Sequence, residues 1–308
     1  MKISGFSMAK NAAKLYYPVK ESVLSILPIV DEFIFVLGDC DSDDNTRELL
    51  ESIDSEKIKI IDTVWDIQKY KNRTIYAQQT DIAKSNCSGD WLFYIQADEV
   101  VHEKYLSVIK SNCEKFLDDE EVEGFLFKYI HFWGDYNHHR DAHGWYKNEI
   151  RIIRNLPEIH SWRDAQSFRN MPDFSKEMYM QKEGTNKIKV VNSGAYIYHY
   201  GWVRPPILMN SKKVAFNSHK GSEADKSNSN ENVDFDYGPL RKLPEFKESH
   251  PKVMASKLQD FHWKDFLNYE KSNKYHHDKI KDRLITFFEK IFNKPLFEFQ
   301  NYILLKRK

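Results

Sequence analysis

The stretch Phe33-Ile-Phe-Val-Leu-Gly-Asp-Cys-Asp-Ser-Asp-Asp-Asn-Thr46 joins a run of apolar residues to an acidic turn. The apolar run, Phe33–Leu37, predicts a buried strand, and the turn after it opens a helix. Ligands of an open α/β sheet bind at the carboxyl ends of its strands, and Asp39 lies at such an end. A carboxylate in that place can accept hydrogen bonds from a base or a ribose. Asp44 and Asn45 are close enough to the helix to cap it, whereas Asp39 lies too far upstream.

Apolar runs and helical patterns alternate on both sides of this stretch. Further strands are predicted at Ile58–Ile61 and Trp91–Ile95, and helices at Val19–Leu27, Thr46–Ile53 and Thr74–Lys84. This alternation is typical of parallel strands joined by right-handed crossovers. We therefore expect residues 1–118 to form the nucleotide-binding half of an α/β domain.

The rest of the chain has a different pattern. Residues 119–217 are predicted to form a second half of the same domain, with strands at Gly124–Phe132, Asn148–Arg154 and Lys187–Tyr200. Residues 218–245 are polar and poor in apolar side chains, which is typical of a loop. Residues 246–308 are predicted to be a mainly helical extension, with a clear helical pattern from Asp278 onward.

A second acidic motif ends the strand that is predicted at Trp91–Ile95. It reads Gly89-Asp-Trp-Leu-Phe-Tyr-Ile-Gln-Ala-Asp-Glu99. Two adjacent carboxylates, Asp98 and Glu99, persist at a strand end only if solvent or a cation compensates their repulsion. A divalent ion bound there can also hold a diphosphate. The alternative is that both acids begin a helix that reaches Phe116, where the helix dipole favours them.

Taken together, the two motifs resemble the family-two glycosyltransferases of the GT-A fold. Those proteins have a strand that ends in Asp and, about fifty residues later, a Gly-Asp-Trp-like strand followed by Asp-x-Asp. The resemblance covers about the first 120 residues and implies a Rossmann-like mixed sheet with helices on both faces. It implies that Asp39 contacts the nucleotide base, that Asp41 and Gln96 belong to the donor site, and that Asp98 binds the diphosphate with Mn²⁺ or Mg²⁺. Gln96 stands where the family has the first Asp, and an uncharged amide is a poor ligand for a hard cation.

A third motif, Tyr196-Ile-Tyr-His-Tyr-Gly-Trp-Val-Arg-Pro-Pro206, carries groups that suit a diphosphate or a metal ion. Arg204 has the planar fork that reads phosphate oxygens, and His199 can complete a metal site with Asp98. A histidine in an aromatic strand can also be purely structural. Lys212 and Lys213 suit either the phosphates or the solvated face of a helix.

The catalytic base is sought among the acids of the second half. Inverting transfer needs a carboxylate that removes the proton of the acceptor hydroxyl. Asp164 is the preferred candidate because it lies in a polar segment, and Glu149 and Asp173 are its rivals. Trp145 and Trp162 offer apolar faces for a sugar ring, although packing explains such residues as well.

The composition of the chain indicates which partners it can bind and in which cellular compartment it is found. Lys plus Arg and Asp plus Glu both number 46, so the formal net charge is zero, which argues against nucleic acid. Three cysteines without metal-finger spacing, an N-terminus without an apolar core and no long apolar stretch predict a cytoplasmic protein.

The resemblance to the GT-A family implies a metal-assisted, inverting glycosyltransferase that moves a sugar from a nucleoside-diphosphate donor to a saccharide or lipid-linked acceptor, as in cell-surface polysaccharide or glycolipid synthesis. One alternative is a nucleotidyltransferase of the same fold, although Ile3–Asn11 contains only one glycine where such enzymes have a Gly-rich loop. The other alternative, which Gln96 keeps open, is a carbohydrate-binding or scaffold protein without chemistry.

The predicted C-terminal helix has an apolar stripe flanked by basic residues. The stripe comprises Ile280, Leu284, Phe287, Phe288, Ile291 and Phe292. Basic flanks beside a bulky apolar face suit a helix in the plane of the inner membrane surface, and Lys306-Arg-Lys308 adds positive charge. The alternative is that the stripe packs on the catalytic domain or on a second subunit.

Overall fold

The computed structural model describes residues 1–219, 234–270, 280–292, 296 and 299–307. The strands in this part of the chain are β1 (Ile3–Ala9), β2 (Glu32–Leu37), β3 (Ile58–Asp62), β4 (Trp91–Tyr94), β5 (Glu99–Val101), β6 (Gly124–Phe132), β7 (His139–Arg140), β8 (Asn148–Arg154), β9 (Ile159–Trp162), β10 (Ser167–Asn170), β11 (Ile188–His199) and β12 (Tyr302–Leu304). The α-helices are α1 (Val19–Ile26), α2 (Thr46–Glu51), α3 (Thr74–Ser85), α4 (Leu106–Lys115), α5 (Pro206–Ser218), α6 (Ala255–Gln259) and α7 (Ile280–Phe292).

One mixed sheet runs through both halves of the chain in the order β12-β11-β6-β8-β4-β1-β2-β3. β1 pairs in parallel with β2 and β4, and β6 pairs in parallel with β11. β8 is antiparallel to both β4 and β6, so it joins the two parallel groups and leaves their carboxyl ends at the same edge. The predicted α/β fold with a mixed sheet is confirmed.

Side chains on the two faces of the sheet form two separate hydrophobic cores. Phe33, Phe35 and Phe93 lie in one core with residues of α1, α2 and α4. Ile34 and Tyr94, their neighbours in sequence, lie in the other core with residues of α3. Successive side chains of a strand point to opposite faces, so continuous apolar runs require cover on both sides. The predicted helices on both faces follow from these runs.

The central strand of the first half, β1, was not predicted from the sequence. Its residues Ser4, Gly5 and Ser7 interrupt the apolar pattern, yet the whole strand is buried. Ser7 donates a hydrogen bond to the Ile95 carbonyl oxygen at 2.6 Å, and Ser4 donates to the Glu32 carboxylate at 2.5 Å. Because both hydroxyls have partners, their burial carries little penalty.

The segment after Asp98 rules out the alternative interpretation, in which Asp98 and Glu99 begin a helix. Glu99 starts β5, which pairs antiparallel with β11, and α4 begins only at Leu106. Pairing with β11 also fixes Asp98, because Tyr200 N–H donates to the Asp98 carbonyl oxygen at 2.8 Å. Asp98 is thus held at the edge where the strands end.

Most of the predicted polar loop, residues 220–233, lies outside the described residues. In the described part of this loop, Phe235, Tyr237 and Leu240 are buried in a third hydrophobic cluster, so residues 235–240 pack against the domain. The predicted helical extension contains α6 and α7, and it also contributes β12 to the edge of the main sheet.

Helix α7 turns its polar face towards the domain and leaves its apolar stripe outside. Thr286 Oγ1 accepts a hydrogen bond from His143 N–H at 2.8 Å, and Glu289 lies 3.0 Å from His143 Nδ1 and 3.3 Å from Lys147 Nζ. The described stripe residues are 46–65% exposed: Leu284, Phe287, Phe288, Ile291 and Phe292. The prediction that this stripe packs on the catalytic domain is therefore wrong for these residues. Asp278 and Lys279, and the side chains of Ile280, Arg283 and Lys290, are outside the described part.

Across the residues with a described position, none of the helices is long and apolar enough to cross a lipid bilayer.

Candidate active site

A cavity of about 550 Å³ opens at the edge where β1, β4, β6 and β11 end. Residues just after or near each strand end line it: Lys10 after β1, Asp98 after β4, His131 near the end of β6 and His199 at the end of β11. Residues from α5 and the β9–β10 turn close its sides. The sequence predicted Asp98 and His199 at this edge, and the structure brings them together.

Asp98 and His199 form a pair at the floor of this cavity. His199 Nε2 lies 3.4 Å from Asp98 Oδ2, and both side chains are largely buried. Burial alone would raise the pKa of Asp98, but His199, Lys212 and Arg204 outweigh burial and hold that pKa well below its usual range. Asp98 is therefore a carboxylate near neutral pH.

His131, which sequence reasoning missed, orients His199. Its Nε2 lies 2.8 Å from the Tyr146 carbonyl oxygen, and its Nδ1 lies 3.0 Å from His199 Nδ1. A carbonyl only accepts, so His131 Nε2 carries the proton and its Nδ1 accepts from His199 Nδ1–H. Burial and the neighbouring His199 lower the pKa of His131 well below its usual value, which agrees with a neutral ring. In this arrangement His199 Nε2 is the ring nitrogen left to face Asp98.

The sequence does contain a signal for His131. β6 and β11 pair in parallel, and His131 stands directly opposite His199 in their register. The predicted strands at 124–132 and 187–200 both end in aromatic runs that contain a histidine. Pairing these two strands in parallel would have brought the two histidines together.

Lys212 and Gly201 complete the surroundings of Asp98. Lys212 Nζ lies 3.9 Å from Asp98 Oδ2 and donates to the Gly201 carbonyl oxygen. Burial and nearby Arg204 lower the pKa of Lys212 to about 7 against the opposing pull of Asp98. A Cβ atom at position 201 would lie 2.4 Å from Asp98 Oδ2 and 2.7 Å from His199 Nε2, so only glycine lets these two groups approach.

Aromatic side chains and a cation form the side of the cavity near β1. Lys10 lines the cavity and pairs with Asp39 at 2.8 Å, and Asp39 also accepts from Trp65 N–H at 2.9 Å. The Trp65 ring packs 5.3 Å from His219, centroid to centroid, and lies against Gly38, where a Cβ would be 2.5 Å from its Nε1. Asp39 thus borders the cavity through Lys10 and remains partly exposed.

The tight turn between β9 and β10 presents Asp164 to the cavity. The residues on either side, Arg163 and Ala165, have φ values of 58° and 59°, a left-handed conformation that is unfavourable for non-glycine residues. Contacts to the rest of the domain hold this turn: Gln96 Nε2 donates to the Ala165 carbonyl oxygen at 3.1 Å, and Arg151 Nη1 donates to the Gln166 carbonyl oxygen at 3.0 Å. Gln96 therefore ties the Asp164 turn to the strand end that carries Asp98.

Glu99 forms a buried ion pair and does not line the cavity that Asp98 lines. Both of its carboxylate oxygens accept from Arg151, at 2.7 and 2.8 Å, and Tyr129 donates a third bond at 2.7 Å. Glu149, on β8, is also buried and accepts from Gln166 Nε2 at 2.9 Å. Burial raises the pKa of Glu149 to about 7 although Arg151 opposes the rise. Glu149 lines a second cavity that adjoins the first.

Three other predicted residues lie outside the walls of both cavities. Asp41 is exposed and pairs with Lys14 at 2.9 Å, and Asp173 is exposed on the surface. Arg204 is fully buried beneath the site, where its guanidinium donates to the carbonyl oxygens of Leu15 and Gly201 and stacks over Tyr17. The structure thus places Arg204 as a support of the loop that carries Gly201.

The chemistry of the donor set decides whether a divalent ion fits. In the residue ranges that are described, no three His, Cys, Asp or Glu side chains converge as a complete metal cage. Mg²⁺ and similar ions are commonly held by one or two side chains together with substrate phosphates. A fixed carboxylate and an imidazole nitrogen, 3.4 Å apart, suit this kind of shared binding when the imidazole is neutral.

Comparisons with known proteins give only a distant structural likeness. No protein-family model matches the chain, and no curated protein matches its sequence. S. aureus TarS is 14% identical over 71% of this chain and 39% of its own, with a TM-score of 0.37. S. aureus TarS 1-349 in complex with UDP is 15% identical over 71% of this chain and 65% of its own, with a TM-score of 0.37.

Glucosyl-3-phosphoglycerate synthase from Mycobacterium tuberculosis, in complex with Mn²⁺, UDP and phosphoglyceric acid, is 17% identical over 42% of this chain and 43% of its own, with a TM-score of 0.28. The chain therefore spans less than two thirds of each of these proteins. At such identities and TM-scores the likeness assigns no activity to the chain.

Proposed function

We propose that this protein is a glycosyltransferase of the GT-A type that moves a sugar from a nucleoside diphosphate to an acceptor hydroxyl. The observation that carries the proposal is the Asp98–His199 pair with Lys212, at the carboxyl ends of parallel strands and in the floor of a large cavity. A carboxylate, an imidazole and a lysine side chain in that position suit a diphosphate with a bound Mn²⁺ or Mg²⁺.

Different residues of the chain would bind the metal ion, stabilise the leaving diphosphate and deprotonate the acceptor in a single displacement at the anomeric carbon. Asp98 and His199 would hold the metal ion, whose chemistry when bound is to neutralise charge on the departing diphosphate. The anionic diphosphate favours the protonated form of Lys212, which then adds a positive charge beside the same oxygens. Asp164 takes the proton of the acceptor hydroxyl while that oxygen bonds to the anomeric carbon. The bond from that carbon to the phosphate oxygen breaks, and its electrons leave with the nucleoside diphosphate.

The nucleotide part of the donor belongs on the aromatic side of the cavity. Lys10, Trp65 and His219 line that side, and Asp39 lies behind Lys10. Burial and the neighbouring Lys10 and Arg73 lower the pKa of His219 to about 4, so this ring is neutral near pH 7 and offers a flat face. A flat, mainly uncharged wall with one cation suits a base and a ribose.

Nucleotide binding is the direct test of this assignment. We expect nucleoside diphosphates or their sugars to raise the unfolding midpoint by roughly 5 °C at about 100 times Kd in the presence of Mn²⁺. The measurement is a thermal-shift screen of uridine, guanosine, adenosine and cytidine diphosphates with their sugars, with Mn²⁺ and with a chelator. A protein that no nucleotide stabilises under either condition would refute the proposed function.

The outward apolar face of α7 is proposed to dock on an anionic lipid surface. Five large apolar side chains on this face are 46–65% exposed, which is unusual unless something covers them. Residues 278–308 contain eight Lys and Arg and four Asp and Glu, a net charge of +4 with neutral histidines, in a chain of zero net charge. A bulky apolar face within a basic segment suits the interface of an anionic membrane.

Co-sedimentation with vesicles tests this docking surface. We expect the protein to pellet with phosphatidylglycerol-containing vesicles but not with pure phosphatidylcholine, and the variant Phe287→Ser/Ile291→Ser to stay in solution. Phe266→Ser is the matched control, because Phe266 is 69% exposed elsewhere on the molecule. The proposal would be refuted if the protein and the double variant pellet equally. It would also be refuted if the protein forms a dimer that the double variant does not form, because a second copy would then cover the apolar face.

A further inference from the structure

A second cavity, of about 280 Å³, adjoins the donor cavity on the side of the β9–β10 turn. Four residues line both cavities, so the two spaces share one wall: Gly144, Trp145, Tyr146 and Gln166. The far wall of the second cavity comes from Glu289 of α7 and from residues 299–302. The C-terminal extension thus encloses a space that opens beside the proposed base.

Aromatic rings and neutral amides make up much of the lining of this space, beside a few charged side chains. Aromatic rings are supplied by Trp145, Phe299 and Tyr302, and amide groups by Asn148, Gln166 and Gln300. An aromatic ring packs against the C–H face of a sugar, while amides and carboxylates bond its hydroxyls. This combination is the ordinary chemistry of saccharide recognition.

The charges in the second cavity are balanced, which disfavours an anionic ligand. Glu289 neutralises Lys147 at 3.3 Å and lies 3.0 Å from His143 Nδ1. Glu149 lies on the inner side, and Arg163 stacks over the rings of Trp162 and Phe299. A phosphate site would require a surplus of cations in the same space.

The far wall is fixed to the domain. β12 pairs with β11, and Asn301 Nδ2 donates to the Phe168 carbonyl oxygen at 3.2 Å. Leu296 N–H donates to Glu289 at 2.8 Å, which connects the end of α7 to this wall. Phe299 is nonetheless 47% exposed, so its ring can be removed without opening a hole in the core.

We propose that the second cavity is the acceptor subsite and that it takes a neutral sugar unit, held between Trp145 and Phe299 with a hydroxyl directed at the shared wall. The proposal rests on the proposed function and adds the chemical class of the acceptor. Glu149 and Asp164 flank that wall from its two sides, since Glu149 lines the second cavity and Asp164 lines the first. A sugar in this subsite would therefore meet the donor at the position of the base.

Ligand-observed NMR on the full chain tests the subsite. The probes are the methyl β-glycosides of glucose, galactose and N-acetylglucosamine, with glucose 6-phosphate as the anionic comparison. We expect at least one methyl glycoside to show saturation transfer, and Phe299→Ala to weaken its Kd at least tenfold while the Kd for UDP stays unchanged. Phe266→Ala serves as the control for loss of an exposed ring.

The outcomes separate this inference from the proposed function. Three results would overturn the acceptor subsite. The first is glycoside binding that Phe299→Ala leaves intact, and the second is saturation transfer to glucose 6-phosphate alone. The third is the absence of transfer to any glycoside from a protein that binds UDP. Failure of every nucleotide to bind would instead be a failure of the donor site.

Discussion

Replacing Asp98 with Asn is expected to lower kcat/KM for sugar transfer by about 1,000-fold while the protein stays folded. The substitution keeps the size of the side chain but removes the charge that faces His199 and Lys212. A neutral amide binds a divalent ion poorly, and Lys212 loses the carboxylate that lies 3.9 Å from its Nζ. We therefore expect weaker nucleotide binding with Mn²⁺ and a small change in binding with a chelator.

The matched control for this variant is Asp43→Asn. Asp43 is an exposed acid in the turn after β2, and its ion pair with Lys14 lies away from the cavity. It should retain wild-type kinetics. Circular dichroism and calorimetric titration of UDP with and without Mn²⁺ would accompany the rate measurements. Wild-type turnover of Asp98→Asn across a Mn²⁺ titration would remove Asp98 from the proposed metal site.

The second large effect is expected for Asp164→Asn, which should lower transfer by about 1,000-fold and leave donor binding within a factor of two or three. The turn that presents Asp164 is fixed by Gln96 and Arg151 and not by the carboxylate itself, so the fold should tolerate the amide. Transfer rates with saturating donor, together with calorimetric donor affinity, separate the loss of a base from the loss of binding.

Glu149 is the alternative candidate for the catalytic base. The pH dependence of the rate distinguishes a Glu149 base from an Asp164 base. A base acts only when it is deprotonated, so a Glu149 base with its pKa raised to about 7 would make kcat/KM fall as the pH drops below about 7. We expect Glu149→Gln to keep most of the activity. A wild-type limb near pH 7 that disappears in Glu149→Gln, combined with an active Asp164→Asn, would assign the base to Glu149.

The elements that could be predicted from the sequence are those whose apolar residues form a run or a clear alternation. Gly124–Phe132 was placed correctly although the exposed Lys128 interrupts its apolar pattern. Phe33–Leu37 was placed almost to the residue because a strand that is covered on both faces is apolar throughout. Asp98 was placed at a strand end for the same reason. β1 was not predicted because its buried serines look polar in the sequence. Their hydroxyls bond to distant partners, Ile95 and Glu32, which the local pattern does not reveal.

The parts of the site that could not be predicted depend on contacts between distant segments. The orientation of His199 by His131 requires β6 and β11 to be neighbours, and the burial of Glu99 requires Arg151 from β8. The wall from Phe299 depends on β12 joining β11. Local patterns report the periodicity of one element and contain no record of which elements become neighbours.

The wall that the two cavities share has a consequence for how their ligands influence each other. Gly144, Trp145, Tyr146 and Gln166 border both spaces, so a ligand that shifts this partition from one side changes the shape of the other. Thermodynamic linkage then requires reciprocity: the factor by which a bound donor changes the acceptor's Kd is the factor by which a bound acceptor changes the donor's. Substitutions in the partition should accordingly move both dissociation constants together, whereas substitutions in either far wall should move one.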